Sequence, residues 1–228
     1  MSKDLSFLTN SIPHLQPLLD EVLFIGGAIV PLYITDPALL YVRHTLDIDI
    51  LTAATSYNGY QATVDKLLGL GFRHDIEGPI CRFLKGNLTV DLMTPDESVL
   101  GFSNIYYREA LESPQLFEIP NGLSIRIPTP PLMLATKIAA YESRGKSDPA
   151  VSKDLDDIVT LVDGRAELIE EIAGVRTELR QFIGAGLRGI ATHKIARFIL
   201  PGLFLGPDAE ARHDRLHRRI LTIAKGLD

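Results

Sequence analysis

The hydrophobic pattern of the chain changes its period at the proline-rich segment 128–131. Before this segment, short apolar runs rich in β-branched residues are separated by turn residues, which predicts strands. After it, apolar residues recur at helical spacing. The pattern predicts an α+β protein with two domains. A small mixed β-sheet with helices is expected in residues 1–127, and a helical bundle in residues 128–228.

The first domain contains the more closely defined elements. Residues 58–70 are expected to form a helix that buries Ala62, Val64, Leu67 and Leu68 and stops at a glycine. Gly86-Asn87 is expected to join two strands in a tight hairpin. The expected strands are Val22–Ile25, 47–51, 80–84 and Leu88–Met93.

The second domain is expected to be helical throughout, with glycines as interruptions. The expected breaks are Gly184, Gly186 and Gly189. The expected helices are 132–142, 153–162, 167–182, 191–199 and Ala209–Lys225.

Composition narrows the class of protein. The 228 residues have a mean hydropathy of +0.12 and a net charge of −6, values typical of a soluble globular protein. Because there is no long apolar run and no signal-like start, we expect no membrane association and a cytoplasmic location. The single cysteine, Cys81, allows no internal disulfide and is expected to be a buried strand residue.

Charge is distributed unevenly along the sequence. Residues 1–164 carry 12 basic and 21 acidic side chains, whereas residues 165–228 carry 11 basic and 8 acidic ones. The acidic part is expected to need a cation before it binds phosphate. In the basic part, the run 212–219 is expected to be a solvated helix face, with phosphate contacts to a polynucleotide as the alternative.

Three aspartates occupy positions where neighbouring strands would bring their carboxylates together. Asp47 and Asp49 alternate with apolar residues in one strand, so both project from the same face. Asp91 lies in the strand Leu88–Met93, and the three carboxylates converge if the two strands pair. Such a group is stable mainly when a cation neutralises it, and oxygen ligands favour Mg²⁺ or Mn²⁺. The pattern therefore indicates a metal clamp.

These residues carry a resemblance to a known superfamily. A glycine pair after a strand (Gly26-Gly27), an Asp-x-Asp on a second strand and an aspartate on a later strand resemble the core of the polymerase β type nucleotidyltransferases. Segments 24–28, 43–49 and 153–158 are similar to the AbiEii/AbiGii toxin branch. The resemblance covers roughly residues 12–165. It implies a palm-like catalytic domain followed by a helical domain.

The resemblance also implies roles for individual residues. Asp47 and Asp49 would hold two Mg²⁺ or Mn²⁺ ions and Asp91 would hold one of them, and Asp91 would also accept the proton of the attacking hydroxyl. Lys137 would neutralise charge on the triphosphate of a nucleotide. The remaining nucleotide-binding or phosphate-binding residues implied are Gly26, Gly27, Arg43, Thr45 and Asp157.

The activity implied is transfer of a nucleoside monophosphate from an NTP to an acceptor hydroxyl, with release of pyrophosphate. The acceptor stays open between an RNA such as tRNA, a protein and a small molecule, and the resemblance implies an antitoxin protein as the partner of a toxin. Two alternatives stay open. The first is a catalytically degenerate nucleotide-binding module that acts through a protein partner, motivated by Ala28 and by the 19 residues between Gly27 and Asp47. The second is a metal-dependent glycosyltransferase. A haloacid dehalogenase-type phosphatase is set aside, because Leu51 stands where that motif needs threonine.

Overall fold

The computed structural model describes residues 5–37, 39, 43–194, 200–204 and 208–225. The protein is α+β and divides into two compact units. Met1–Pro31 and His44–Thr129 form the first, here called the sheet unit. Leu32–Arg43 and Pro130–Asp228 form the second, the helical unit. In the described part of the chain, no helix combines the length and the apolarity needed to cross a membrane.

The sheet unit is built on a mixed five-stranded sheet with the strand order β1-β2-β5-β4-β3. Strand β2 pairs parallel with β5, and the other neighbours pair antiparallel. A separate antiparallel pair, β6 and β7, was not expected from the sequence. The strands are β1 Val22–Ile25, β2 Asp47–Thr52, β3 Arg73–His74, β4 Arg82–Lys85, β5 Leu88–Met93, β6 Gln115–Glu118 and β7 Ser124–Ile127.

Short helices accompany these strands. They are α1 Ser6–Ser11, α2 Val30–Tyr33, α3 Tyr57–Gly69, α4 Glu97–Leu100 and α5 Tyr107–Glu112, with 3₁₀ turns at Ile12–Leu18 and Gly27–Ile29. Ser56 caps the N-terminus of helix α3, because its side chain accepts a hydrogen bond from the Gly59 N–H. Val64 and Leu67 are buried as expected, but Ala62 and Leu68 are exposed. The apolar face of α3 is therefore narrower than the sequence suggested.

On the side of the sheet that carries the aspartates, the two ends of β2 differ in burial. Ile48 and Ile50 are buried on the opposite face, as their alternation with the aspartates predicts. On the aspartate side, Leu51 near the end of the strand packs with Leu23 and with Ala110 of α5. The beginning of β2, where Asp47 and Asp49 lie, stays partly exposed.

The hairpin between β4 and β5 turns at Gly86-Asn87, as expected. Gly86 has a φ of +58°, which suits a glycine at the first position of a two-residue turn. The turn sets the register, so Lys85 lies opposite Leu88 and Arg82 lies opposite Asp91. Cys81 is buried, but it lies one residue before β4 rather than within a strand.

The helical unit contains the elements that follow the prolines. They are α6 Pro130–Ala140, continued by a π-helical turn Tyr141–Gly145, then α7 Lys153–Gly164, α8 Leu168–Ala173, α9 Thr177–Thr192 and α10 Ala209–Lys225, with 3₁₀ turns at Pro149–Val151 and Leu200–Leu203. The single helix expected over 167–182 is two helices, because α8 ends at Ala173 and α9 begins at Thr177. Of the helix expected at 191–199, residues 195–199 lie outside the described residues.

The segment Leu32–Arg43 groups with these helices, although a boundary at residue 127 would place it in the first domain. Hydrogen bonds at the end of α7 explain this grouping. The N–H groups of Thr35 and Asp36 both donate to the carbonyl of Gly164 at 2.9 Å. Arg165 also donates to the carbonyl of Tyr33. The segment thus satisfies backbone groups at a helix end that would otherwise lack partners.

The glycines expected to interrupt the bundle lie inside α9. Gly186 shows why a glycine is used there. A Cβ at this position would lie 2.3 Å from Cγ2 of Ile138, a fully buried residue of α6. The missing side chain therefore lets α6 and α9 pack closely.

Replacing Gly186 by valine should destabilise the protein by about 1–3 kcal/mol, because Ile138 is β-branched and cannot move aside easily. Urea unfolding of the purified variant measures this change. Gly69→Val is the matched control, since nothing lies within 4 Å of a Cβ at Gly69; its stability should stay within about 0.5 kcal/mol of the original. Equal losses in the two variants would contradict close packing at Gly186.

Candidate functional site

Asp47, Asp49 and Asp91 form a group on the mixed sheet that we call the aspartate face. Because β2 and β5 run parallel in register, Asp49 lies directly beside Asp91 and Asp47 lies beside Thr89. Residues paired in this way project from the same side of a sheet. Asp91 is buried, while Asp47 and Asp49 are half-buried. The sheet thus brings together the three carboxylates that the sequence singled out.

Gly26 leaves space for one of these carboxylates. It follows β1, whose last residue Ile25 pairs with Asp49. A Cβ at Gly26 would lie 1.8 Å from Oδ2 of Asp49, a distance that no side chain tolerates. Gly26 also has a φ of +77°, which strongly favours glycine. Both constraints require glycine at this position, and Gly27 then begins the following 3₁₀ turn.

Thr45 orients the first aspartate. Its hydroxyl Oγ1 donates a hydrogen bond to Oδ1 of Asp47 at 2.5 Å. This bond fixes one carboxylate oxygen of Asp47 at the start of β2. In the structure, Thr45 therefore contacts an aspartate of the face.

Arg82 supplies positive charge to the aspartate face. Its Nε donates to Oδ1 of Asp91 and its Nη2 to Oδ2, each at 2.8 Å. The same Nη2 lies 3.7 Å from Oδ2 of Asp47. Hydrogen bonding to Asp91 is the main reason that the pKa of Arg82 is raised above its ordinary value, although burial opposes this shift. The arginine is therefore permanently charged between two aspartates.

The donor set bears on whether a metal ion fits. Among the described residues, no group of three acidic, histidine or cysteine side chains is arranged to hold a metal ion. Arg82 engages both oxygens of Asp91, although each carboxylate oxygen has a further lone pair. Asp47 and Asp49, both on strand β2, are hard oxygen donors, and such donors suit Mg²⁺ or Mn²⁺. The set therefore fits a cation held mainly by these two aspartates.

Cys81 lies beside the aspartate face but is a poor nucleophile. The pKa of Cys81 is raised to about 11, mainly by burial and secondly by the negative charge of Asp91. The thiol is therefore protonated at neutral pH, and only the thiolate is strongly nucleophilic.

The helical unit holds a second set of charged residues, here called the lysine cluster: Arg43, Lys137, Arg144, Asp154 and Asp157. Nζ of Lys137 lies 2.7 Å from Oδ2 of Asp157 and 3.4 Å from Oδ1 of Asp154. Arg43 binds both oxygens of Asp157 at 3.2 Å, and Nε of Arg144 binds Asp154 at 2.9 Å. Of the expected residues, Arg43 and Lys137 thus both contact Asp157.

Burial and charge act in opposite directions on the acids of α7. Burial alone would raise the pKa of Asp154, but the charge of Lys137 and the contacts with Arg144 outweigh it, so the pKa is lowered. The pKa of Asp156 is raised, first by burial and then by the charge of Asp157. The lysine cluster therefore combines three cations with two paired carboxylates, and the neighbouring Asp156 ionises less readily than an ordinary aspartate.

Three of the four arginines of α10 make contacts inside the helical unit. Arg212 and Arg215 both bind Asp163, a fully buried residue near the end of α7. Arg219 donates to the carbonyls of Val162 and Asp163. These three side chains of the basic run are thus not a solvated face, because they neutralise a buried carboxylate and satisfy a helix end.

Sequence reasoning missed Arg82 as a member of the site, although the signal was present. A two-residue turn at Gly86-Asn87 pairs Lys85 with Leu88, and counting back along both strands pairs Arg82 with Asp91. The role of Asp163 had no comparable signal. Its partners are 49 and 52 residues away in the sequence, so no local pattern indicates the contact.

Comparison with known proteins gives no match: the sequence fits no family model, and no curated protein is significantly similar to it.

Two neighbouring acids of α7 should respond oppositely to neutralisation. Asp154→Asn should destabilise the protein at pH 7 by about 2–4 kcal/mol, because it removes the partner of Lys137 and Arg144. Asp156→Asn should stabilise it, because a half-buried carboxylate no longer has to ionise beside Asp157. Chemical denaturation of each variant at several pH values measures both effects.

The pH dependence follows from the direction of each pKa shift. The contribution of Asp154 is complete above its ordinary pKa of 3.8 and is lost as the pH falls through its lowered value. The penalty from Asp156 is absent below pH 3.8 and grows as the pH rises through its raised value. A destabilised Asp156→Asn variant at pH 7 would contradict this assignment.

Proposed function

We propose that the protein is a Mg²⁺-dependent nucleotidyltransferase that moves a nucleoside monophosphate from an NTP to an acceptor hydroxyl. The observation that carries the proposal is the aspartate face, where three carboxylates lie side by side next to a glycine that clears space for one of them. We further infer that the mixed sheet is a palm-like catalytic domain and that the helical unit is its accessory domain. The sequence motifs and the pairing of β2 with β5 support this inference.

In this proposal, Asp47 and Asp49 hold the divalent cation. When bound, the cation lowers the pKa of the attacking hydroxyl and neutralises charge on the phosphates. Thr45 fixes the orientation of Asp47 through its hydrogen bond. The backbone at Gly26 and Gly27 is proposed to approach the phosphate groups. Asp91 is assigned to positioning and charge, because Arg82 engages both of its oxygens.

Lys137 and Arg43 are proposed to bind phosphate groups within the helical unit. Asp157 binds both cations and Asp154 also binds Lys137, so a phosphate would meet a rigid donor set. Asp157 is proposed to act indirectly, by positioning Lys137 and Arg43.

The acceptor and the partner rest on the resemblance alone. An RNA or protein hydroxyl is proposed as acceptor, and an antitoxin as partner. Because Arg212, Arg215 and Arg219 are committed to contacts inside the helical unit, the proposal does not place RNA on those side chains.

A second candidate is a nucleotide-binding module without turnover. The specific observation that favours it is the paired contact of Arg82 with Asp91, which occupies the oxygens that a catalytic base or a shared metal ligand would use. The two candidates differ in whether NTP is consumed.

The first candidate is tested by Asp47→Ala combined with Asp49→Ala. Incubation with each labelled NTP, Mg²⁺ and total RNA or cell lysate should label an acceptor, and the variant should lose at least about 100-fold of this activity. Asp65→Ala, which removes an exposed aspartate of α3, should retain full activity. Labelling by the double variant at the original rate would refute the proposal.

Thermal unfolding separates the two candidates. Stabilisation by Mg-NTP without label transfer to any acceptor would support the binding module. No stabilisation and no transfer would count against both.

A further inference from the structure

The position of Arg82 has a consequence for how many cations the aspartate face can hold. Its guanidinium contacts Asp91 through two hydrogen bonds of 2.8 Å and lies 3.7 Å from Asp47. It therefore occupies the space between the carboxylate of β5 and the first carboxylate of β2. A cation shared by these two carboxylates would need the same space.

The backbone fixes this placement. Arg82 and Asp91 are directly opposite each other in the β4–β5 hairpin, and the Gly86-Asn87 turn sets that register. The side chain of Arg82 is 28% exposed and that of Asp91 is 8% exposed, so water screens the pair only partly. A planar guanidinium that binds both oxygens of a carboxylate is held more rigidly than a single-point contact would be.

The formal charges of the aspartate face support a role for Arg82 in place of a cation. The three aspartates and Arg82 together carry a formal charge of −2. One divalent ion then neutralises what remains. Without Arg82, one divalent ion would leave a net negative charge, and a second ion would be attracted.

We propose that Arg82 takes the place of one metal ion, so that the aspartate face binds a single divalent cation through Asp47 and Asp49. Asp91 stays paired with the guanidinium. The inference rests on the proposed function only in requiring that the face binds a divalent cation. It differs from the two-ion arrangement that the sequence suggested, and it makes Arg82 the residue that sets metal stoichiometry.

The test is a titration of the purified protein with Mn²⁺ in the absence of nucleotide. Electron paramagnetic resonance measures the free Mn²⁺ at each step. The unaltered protein should bind one ion. Arg82→Gln should bind a second ion, or bind the first at least about tenfold more tightly, because Asp91 is released and the face gains a net negative charge. Arg73→Gln, which removes an exposed arginine of the neighbouring strand β3, should bind one ion with unchanged affinity.

Thermal unfolding gives a second readout that also works for a destabilised variant. Metal-free Arg82→Gln should unfold at a lower temperature, since its three carboxylates repel one another. Added Mn²⁺ should raise its unfolding temperature by more than it raises that of the unaltered protein. A purely structural arginine would lower the unfolding temperature equally at every Mn²⁺ concentration, and that result would overturn the inference.

The outcomes distinguish this inference from the proposed function. Two ions on the unaltered protein, or one ion with unchanged affinity on Arg82→Gln, would overturn the role of Arg82 and leave the proposed activity standing. Mn²⁺ binding that survives Asp47→Asn with Asp49→Asn would overturn the assigned ligands. No binding by any variant would overturn both the inference and the metal dependence of the proposed function.

Discussion

The parallel pairing of β2 with β5 is the contact on which the chemistry of the sheet unit depends. It sets Asp49 directly beside Asp91 and keeps Asp47 on the same side of the sheet. Carboxylates this close repel each other, so the native fold has to supply positive charge at the same place. Arg82 meets that need from the adjacent strand, and Gly26 provides the space that the side chain of Asp49 occupies.

In the helical unit, three buried aspartates of one helix each have positively charged partners. Asp154, Asp157 and Asp163 of α7 are all buried, and an unpaired buried carboxylate would be costly. Lys137 and Arg43 serve Asp157, Lys137 and Arg144 serve Asp154, and two arginines of α10 serve Asp163. Two arginines of the basic C-terminal region therefore balance an internal charge. A count of arginines in the sequence overstates the positive surface that is available to a polynucleotide.

Local patterns predicted strands β1, β2 and β5 and the aspartate face, because alternation of apolar and acidic residues determines which side of a strand each residue occupies. Strands β3, β6 and β7 were not predicted. The expected bounds of β1 and β5 agree with the structure, and those of β2 differ by one residue. Glycines were the main source of error in the bundle. Gly186 looked like a break, yet it allows close packing between α6 and α9, a role that depends on a residue 48 positions earlier in the sequence. Long-range pairs such as Arg212 with Asp163 likewise leave no local trace.

The contact between Arg82 and Asp91 bears on both proposed functions, and charge decides how it should be interpreted. If the arginine only neutralised an inactive remnant, there would be no reason for Asp47 and Asp49 to remain half-buried donors beside a required glycine. Gly26 has a φ of +77°, and the space that its missing side chain leaves is occupied by the carboxylate of Asp49. In our proposal, a single divalent cation is held by Asp47 and Asp49, and Arg82 neutralises Asp91, the carboxylate that the cation does not need.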